Sequence, residues 1–284
     1  MTPLEKFCEK SLAREVPDEL HTMANYLRQR HVGAVAILAY GSCLRGVAVS
    51  DTLMDFYVLT DKMGDVSSNM LSWIGCALVP PNVYYAEVNG NLRAKYAVLP
   101  LSLFAKWTTR QTGNPYFWAR FSQPSALIYV RDEKTSSDML TAIANALQTS
   151  FANAKALTPS QDALAIWTAG FKATYATEFR SETADRAAQI VAVYPEYYGE
   201  AAMLLADEKP INANQLLRRL AGKLLSALRL AKAAFTFQGG ADYIVWKIER
   251  HSGKKIVLTD WQKRHPIITG VMLLGALLRN GAVR

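Results

Sequence analysis

Cysteine is scarce in this chain. Cys8, Cys43 and Cys76 are the only three, with no CxxC among them. That excludes a disulfide framework and a cysteine-built zinc site, and points to a reduced, cytoplasmic setting. Histidine is nearly as rare, with four; His251 and His265 lack metal-ligand spacing and read as structural. Long apolar runs are missing too. The longest uncharged one, Pro266 to Leu278, has 13 residues, where a membrane-spanning helix needs about 18–20. The opening MTPLEKFCEKSLAREVPDEL carries neither an apolar signal core nor an Arg-rich transit segment, so no presequence is expected. Repeats and low-complexity tracts are absent. What remains is an ordinary globular composition of 284 residues, 50% hydrophobic and 20% charged, long enough to bury a core unaided.

Charge is unevenly spread. Residues 1–208 hold 18 Lys+Arg against 21 Asp+Glu, a net of −3; residues 209–284 hold 14 against 3, a net of +11. Such asymmetry suggests an anionic partner for the last quarter: nucleic acid, a phosphorylated substrate or an anionic membrane surface.

Periodicity predicts an α+β protein. A helix is expected over Glu15–Arg30, then a buried strand at Ala34–Tyr40 (AVAILAY). A second apolar run, Leu53–Leu59, contains one charge, Asp55. Val83–Val88 and Leu92–Leu99 flank Asn89-Gly90, a strong hairpin signal. In the second of these, Arg93 and Lys95 alternate with apolar neighbours and so show one face to solvent or to a site. Ser125–Val130 is the last strand. Beyond about residue 137 the pattern is helical, over roughly 138–156, 161–180, 184–206, 213–235, 241–252 and 259–279. The expected architecture is a mixed sheet with flanking helices (domain 1–134) followed by an all-helical domain (135–284).

Two constellations carry chemistry. In AYGSCLRGVAVSDTLMDFYVLTD, residues 39–61, a buried strand ends in Gly41-Ser42. Glycine lets the backbone approach a ligand closely, and free N–H groups beyond it can hold a phosphate beside the Ser42 hydroxyl. Twelve residues separate Ser42 from Asp55, which sits within an apolar run, where an unpaired charge is costly. A divalent metal is a natural compensation, since magnesium favours one or two carboxylates plus substrate phosphates. This order matches the polymerase-β-like nucleotidyltransferase signature with one departure. The usual D-x-D pair is absent, because Leu53 and Tyr57 occupy the positions two away from Asp55. Asp51, Asp61 and Glu87 are the candidates for a second acid, with Asp51 and Glu87 taken as metal ligands beside Asp55.

The second constellation is the basic helix from Asn214 to Phe235. It carries Arg218, Arg219, Lys223, Arg229 and Lys232, and no acid occurs from Lys209 to Ala241. On a helical wheel Arg218, Arg229 and Lys232 oppose Leu217, Leu220, Leu224, Leu228 and Ala231. The expectation is a leucine side packed into the core and a cationic side offered to an anion or a membrane surface. The tail Pro266–Leu278, flanked by Lys263, Arg264 and Arg279, reads either as an interfacial segment or as a buried terminal helix.

Across about residues 35–240 the chain resembles the peripheral, mitochondrial-type phosphatidate cytidylyltransferases (CDP-diacylglycerol synthases) and their bacterial relatives. The resemblance rests on Ala39-Tyr40-Gly41-Ser42 with Met54-Asp55-Phe56, and on Val83-Tyr84-Tyr85, Asn89-Gly90, Leu92 and Lys95-Tyr96. It continues in Ala119-Arg120-Phe121-Ser122-Gln123-Pro124, in Thr174-Tyr175-Ala176-Thr177-Glu178-Phe179-Arg180, and in Lys232-Ala233-Ala234-Phe235-Thr236 before Gly239-Gly240. Gln123, Thr177 and Ala233 depart from the family pattern. The resemblance implies a magnesium-dependent transfer of a cytidylyl group from CTP to phosphatidic acid, giving CDP-diacylglycerol and pyrophosphate. It also implies a peripheral position on the inner face of the cell membrane.

In that reading Asp55 and Lys95 are catalytic. Gly41, Ser42, Tyr175, Glu178 and Arg180 bind nucleotide, Tyr175 and Glu178 sharing a helix face at i, i+3. Lys232, Arg229 and Arg218 hold the lipid phosphate. Competing readings are a nucleotidyltransferase with another acceptor, such as RNA, a protein or another phospholipid, and a noncatalytic lipid or nucleotide binder. No DNA partner is expected, and no RNA-binding motif occurs.

Overall fold

The computed structural model describes residues 1–45, 53–90, 92–177, 185–236, 258–259 and 261–262. Its centre is a five-stranded mixed sheet in the order β3-β4-β2-β1-β5. The strands are β1 (Ala34–Tyr40), β2 (Met54–Thr60), β3 (Asn82–Val88), β4 (Leu92–Pro100) and β5 (Ser125–Val130). All neighbours run antiparallel except β2 and β4, which pair in parallel. β1 and β2 are buried along almost their whole length, which is why both read as continuous apolar runs. The expected hairpin joins β3 to β4, with Asn89 at φ 55° and Gly90 at φ 71°, the left-handed pair that tight hairpin turns demand.

Helices cover both faces. α1 (Pro3–Leu12) precedes α2 (Asp18–Arg30), and α2 buries Leu20, Met23, Ala24 and Leu27, a stripe at helical spacing. At its end His31 packs between Tyr84 and Tyr96. On the opposite face lie α4 (Leu101–Thr108) and the short α5 (Trp118–Phe121). There Tyr57 of β2 meets Phe104, Phe117 and Phe121 edge-on or tilted. α3 (Met70–Leu78) leads into β3.

Beyond β5 the regular elements among the described residues are all helices, as expected. Asp132 caps α6 (Glu133–Lys155), its carboxylate accepting from Thr135 N–H at 2.7 Å. α7 (Ala163–Tyr175) lies close on α6, since a Cβ on Gly170 would stand 2.7 Å from that of Ala154. The single helix expected over 184–206 is two, α8 (Asp185–Val193) and α9 (Pro195–Leu204). Pro195 begins the second, where a missing N–H costs nothing. One apolar cluster runs continuously from α1 through the sheet to α9.

α10 (Gln215–Thr236) overturns one expectation. Its leucines point outward: Leu216, Leu217, Leu220, Leu224 and Leu228 are all exposed. Its inward face carries Arg218, Arg229, Lys232 and Gly222 instead, with Gly222 pressed against Thr177. Among the described residues no helix is long and apolar enough to cross a membrane. The helix expected at 241–252, the one expected at 259–279 apart from residues 259 and 261–262, the tail Pro266–Leu278, His251 and His265 lie outside the described residues.

Candidate functional site

The site is built where β1 ends. The strand delivers Tyr40, and the chain turns at Gly41 into a short 3-10 segment, Gly41–Leu44. Gly41 adopts φ 85°, a left-handed conformation that side chains disfavour. A second constraint falls on the same residue: a Cβ there would lie 3.1 Å from Asp55 Oδ2. The carboxylate of β2 is therefore packed directly on the Gly41-Ser42 turn, as the spacing of the motif predicted. Cys43 donates its thiol to the Tyr40 carbonyl at 3.1 Å, and Arg45 N–H closes the turn on the Ser42 carbonyl at 3.0 Å.

Sheet register sets the rest. Tyr85, Lys95, Asp55, Tyr40 and Ser125 are successive cross-strand partners from β3 to β5. Their side chains thus stand in one row on one face. Lys95 is the immediate parallel neighbour of Asp55, and both are half-buried. Burial pushes the Tyr40 hydroxyl above its ordinary pKa, reinforced by the Asp55 charge and partly offset by Arg120. Burial likewise raises the Cys43 thiol to about 11, so Cys43 stays protonated at neutral pH and is no thiolate nucleophile.

A cationic wall faces this row. Arg120 of α5 donates to Tyr40 Oη at 3.0 Å, and its guanidinium lies 5.3 Å from the Tyr40 ring and 4.7 Å from the Tyr116 ring. Arg229 of α10 covers Tyr116 at 3.8 Å, Nε donating to the Pro80 carbonyl at 3.0 Å. Tyr116 thus lies against two guanidiniums, both favoured by its ring quadrupole. Arg120 stands within one of the resemblance motifs, but the sequence assigns it no role. It was visible as the lone cation within the apolar stretch YFWARF, but nothing local says that it reaches Tyr40.

Gly41, Ser42, Asp55 and Lys95 are therefore brought together. Other expected residues are not. Glu87 shares the face of Lys95 but sits two strands from Asp55, about 10 Å away laterally. It accepts from Tyr85 Oη at 3.2 Å and pairs with Arg93 at 3.3 Å. Tyr57, where a D-x-D motif would carry its second acid, is fully buried among aromatic rings, surroundings in which a carboxylate would be costly. Tyr175 ends α7 half-buried, close enough to Tyr198 for their charges to interact.

Lys232, expected to hold a lipid phosphate, is turned inward. Its ammonium donates to the Val79 carbonyl at 2.5 Å, the Pro81 carbonyl at 2.7 Å and Asn82 Oδ1 at 3.0 Å. Those bonds match the three donors of a lysine, so it clamps α10 to the start of β3. Arg218 lies 5.8 Å from the Trp118 ring, and burial lowers its pKa. Asp51, Glu178 and Arg180 lie outside the described residues.

Among the described residues no cluster of three His, Cys, Asp or Glu could cage a metal ion. The single carboxylate of Asp55 still suits magnesium arriving with a triphosphate, because that ion keeps waters and phosphate oxygens as most of its ligands.

No family model matches the chain, and no curated protein does. Among solved structures, a nucleotidyltransferase-like protein from Exiguobacterium sibiricum 255-15 aligns at 12% identity over 93% of this chain and 92% of that one. Its TM-score is 0.30, too low to set either fold or function.

Proposed function

We propose that the protein is a nucleotidyltransferase that transfers a cytidylyl group from CTP to phosphatidic acid at a membrane surface. One observation carries the reading: the Asp55 carboxylate rests on the Gly41-Ser42 turn with Lys95 beside it on the next strand. Backbone N–H groups and a hydroxyl on one side, with a carboxylate and an ammonium on the other, make a setting for a metal-bound triphosphate. The choice of CTP and of a lipid acceptor follows the sequence resemblance, and the +11 charge of the last 76 residues suits both anionic partners.

The chemistry asks little covalent work of the protein. An oxygen of the lipid phosphate attacks the α-phosphorus of CTP, a new P–O bond forms, and the bond to the β-phosphate oxygen breaks to release pyrophosphate. Positioning and charge neutralisation dominate such transfers. Magnesium, when bound, neutralises triphosphate charge. Asp55 would hold it, with Asp51 as the second acid. Gly41 and Ser42 grip terminal phosphates, and Lys95 and Arg120 offset negative charge as the two anions meet.

The buried Tyr57 favours a second reading, a nucleotide binder without turnover, since it closes the usual place for a second acid. Radiolabelled CTP with phosphatidic acid and magnesium separates the two. Labelled CDP-diacylglycerol is expected, with at least about 10³-fold loss in Asp55→Ala at unchanged melting temperature. Nucleotide binding with no labelled lipid would leave the binder.

A further inference from the structure

We infer that the outward leucine face of α10 is a docking surface for a bilayer carrying anionic lipid. Leu216, Leu217, Leu220, Leu224 and Leu228 are 67, 63, 58, 62 and 44% exposed. Together they offer on the order of 500 Å² of apolar surface, near the upper range for the largest patch on a soluble monomer. On the helical wheel they form one stripe, and Arg219 and Lys223, both exposed, line one flank of it.

The stripe cannot simply roll into the core. The opposite side of the helix is held by the Lys232 ammonium on Val79 and Pro81, by Arg229 on Pro80 and Tyr116, and by Gly222 against Thr177. Turning the leucines inward would break all of these and leave the buried Pro80, Pro81 and Asn82 oxygens without their donors.

Charge selects the occupant. A self-associating leucine seam carries flanking charges of both signs, which pair across the interface. Here no acid occurs from Lys209 to Ala241, so a second copy would set cation against cation. An apolar stripe with a purely basic margin fits an anionic lipid surface, where leucines enter the acyl boundary and lysine and arginine stems reach back to the head groups. The helix is 22 residues long, about 33 Å, and would lie flat in the interface. This deepens the lipid-acceptor reading: the same helix that meets the bilayer carries Arg229 on its inner side to Tyr116, next to Arg120.

Vesicle flotation of the full chain without nucleotide tests it. The probes are phosphatidylcholine vesicles and vesicles with about a quarter phosphatidylglycerol. The wild type is expected to float with the anionic vesicles, and the double variant Leu220→Glu/Leu224→Glu to lose at least about tenfold in partitioning at unchanged melting temperature. Arg219→Glu/Lys223→Glu, which leaves the leucines in place, should lose the preference for phosphatidylglycerol. Equal flotation of the leucine variant and the wild type would overturn the proposal. So would a concentration-dependent dimer, abolished by the leucine variant, in a wild type that ignores vesicles. Asp55→Ala should float like the wild type, so absent turnover with intact flotation would remove the reaction and leave the docking surface standing.

Discussion

Two lysines were candidates for holding phosphate, and the fold treats them in opposite ways. Lys95 stands on the central sheet beside the Asp55 carboxylate, in a row that runs on through Tyr40, where Arg120 reaches it. Lys232 is consumed by two backbone carbonyls and an amide oxygen in the segment Val79–Asn82. The carboxylates divide likewise. Asp55 packs on the Gly41 turn, whereas Glu87 is tied to Arg93 and Tyr85. The lesson is that charge in a sequence marks where an ion sits, while acceptor geometry decides whether it serves a ligand or the chain itself.

The largest test of that contrast is Lys95→Met. Loss of an aimed cation next to a phosphoryl centre should lower kcat by about 10²–10³-fold, with melting temperature nearly unchanged. Lys95→Arg should recover only part of this, because a planar fork replaces a compact point charge. A Lys95→Met enzyme with wild-type kcat would erase the distinction between the two lysines.

Lys232→Met should do the reverse. Removing the ammonium leaves buried oxygens unpaired, at a cost of about 1–3 kcal/mol in urea unfolding, while kcat changes little. The pH dependence has a definite sign. Burial lowers the folded pKa of Lys232 to about 8, below that of the unfolded chain. Between that value and about 10.4 the unfolded state binds more protons. The penalty for burying the charge is therefore fully present below pH 8 and relieved as pH rises through that window. The stability gap between wild type and Lys232→Met should change across that window, and a constant gap would contradict the buried, charged clamp.

Much of the sheet was legible in the sequence because its signals are local. Ala34–Tyr40 and Ser125–Val130 coincide with β1 and β5, and Asn89-Gly90 marks the β3–β4 hairpin. The approach of Gly41 to Asp55 could be inferred from spacing, since both lie at ends of neighbouring strands. α3, α4 and α5 escaped because they are short, and α4 starts directly from β4 at Pro100 with no side-chain cap. The orientation of α10 escaped for a deeper reason. A wheel shows two faces but not which is inside, and the usual assumption that leucines go inward fails when carbonyls and Tyr116 supply partners for the cations. The absence of Glu87 from the Asp55 site was equally hidden, because strand order, not sequence order, puts β4 between β3 and β2.

The smallest expected effect belongs to Glu87→Gln. If Glu87 were a metal ligand, neutralising it would raise the magnesium requirement as steeply as a change at Asp55. Its place beyond Lys95 and its pairing with Arg93, both partly exposed, predict otherwise. An ion pair in water contributes about 0–1 kcal/mol, because solvent screens the attraction and two long side chains lose rotamer freedom. Glu87→Gln should therefore shift unfolding by less than about 1 kcal/mol and leave the magnesium dependence of turnover unchanged. A steeper magnesium dependence would bring Glu87 back to the Asp55 site and dissolve the contrast between the two carboxylates.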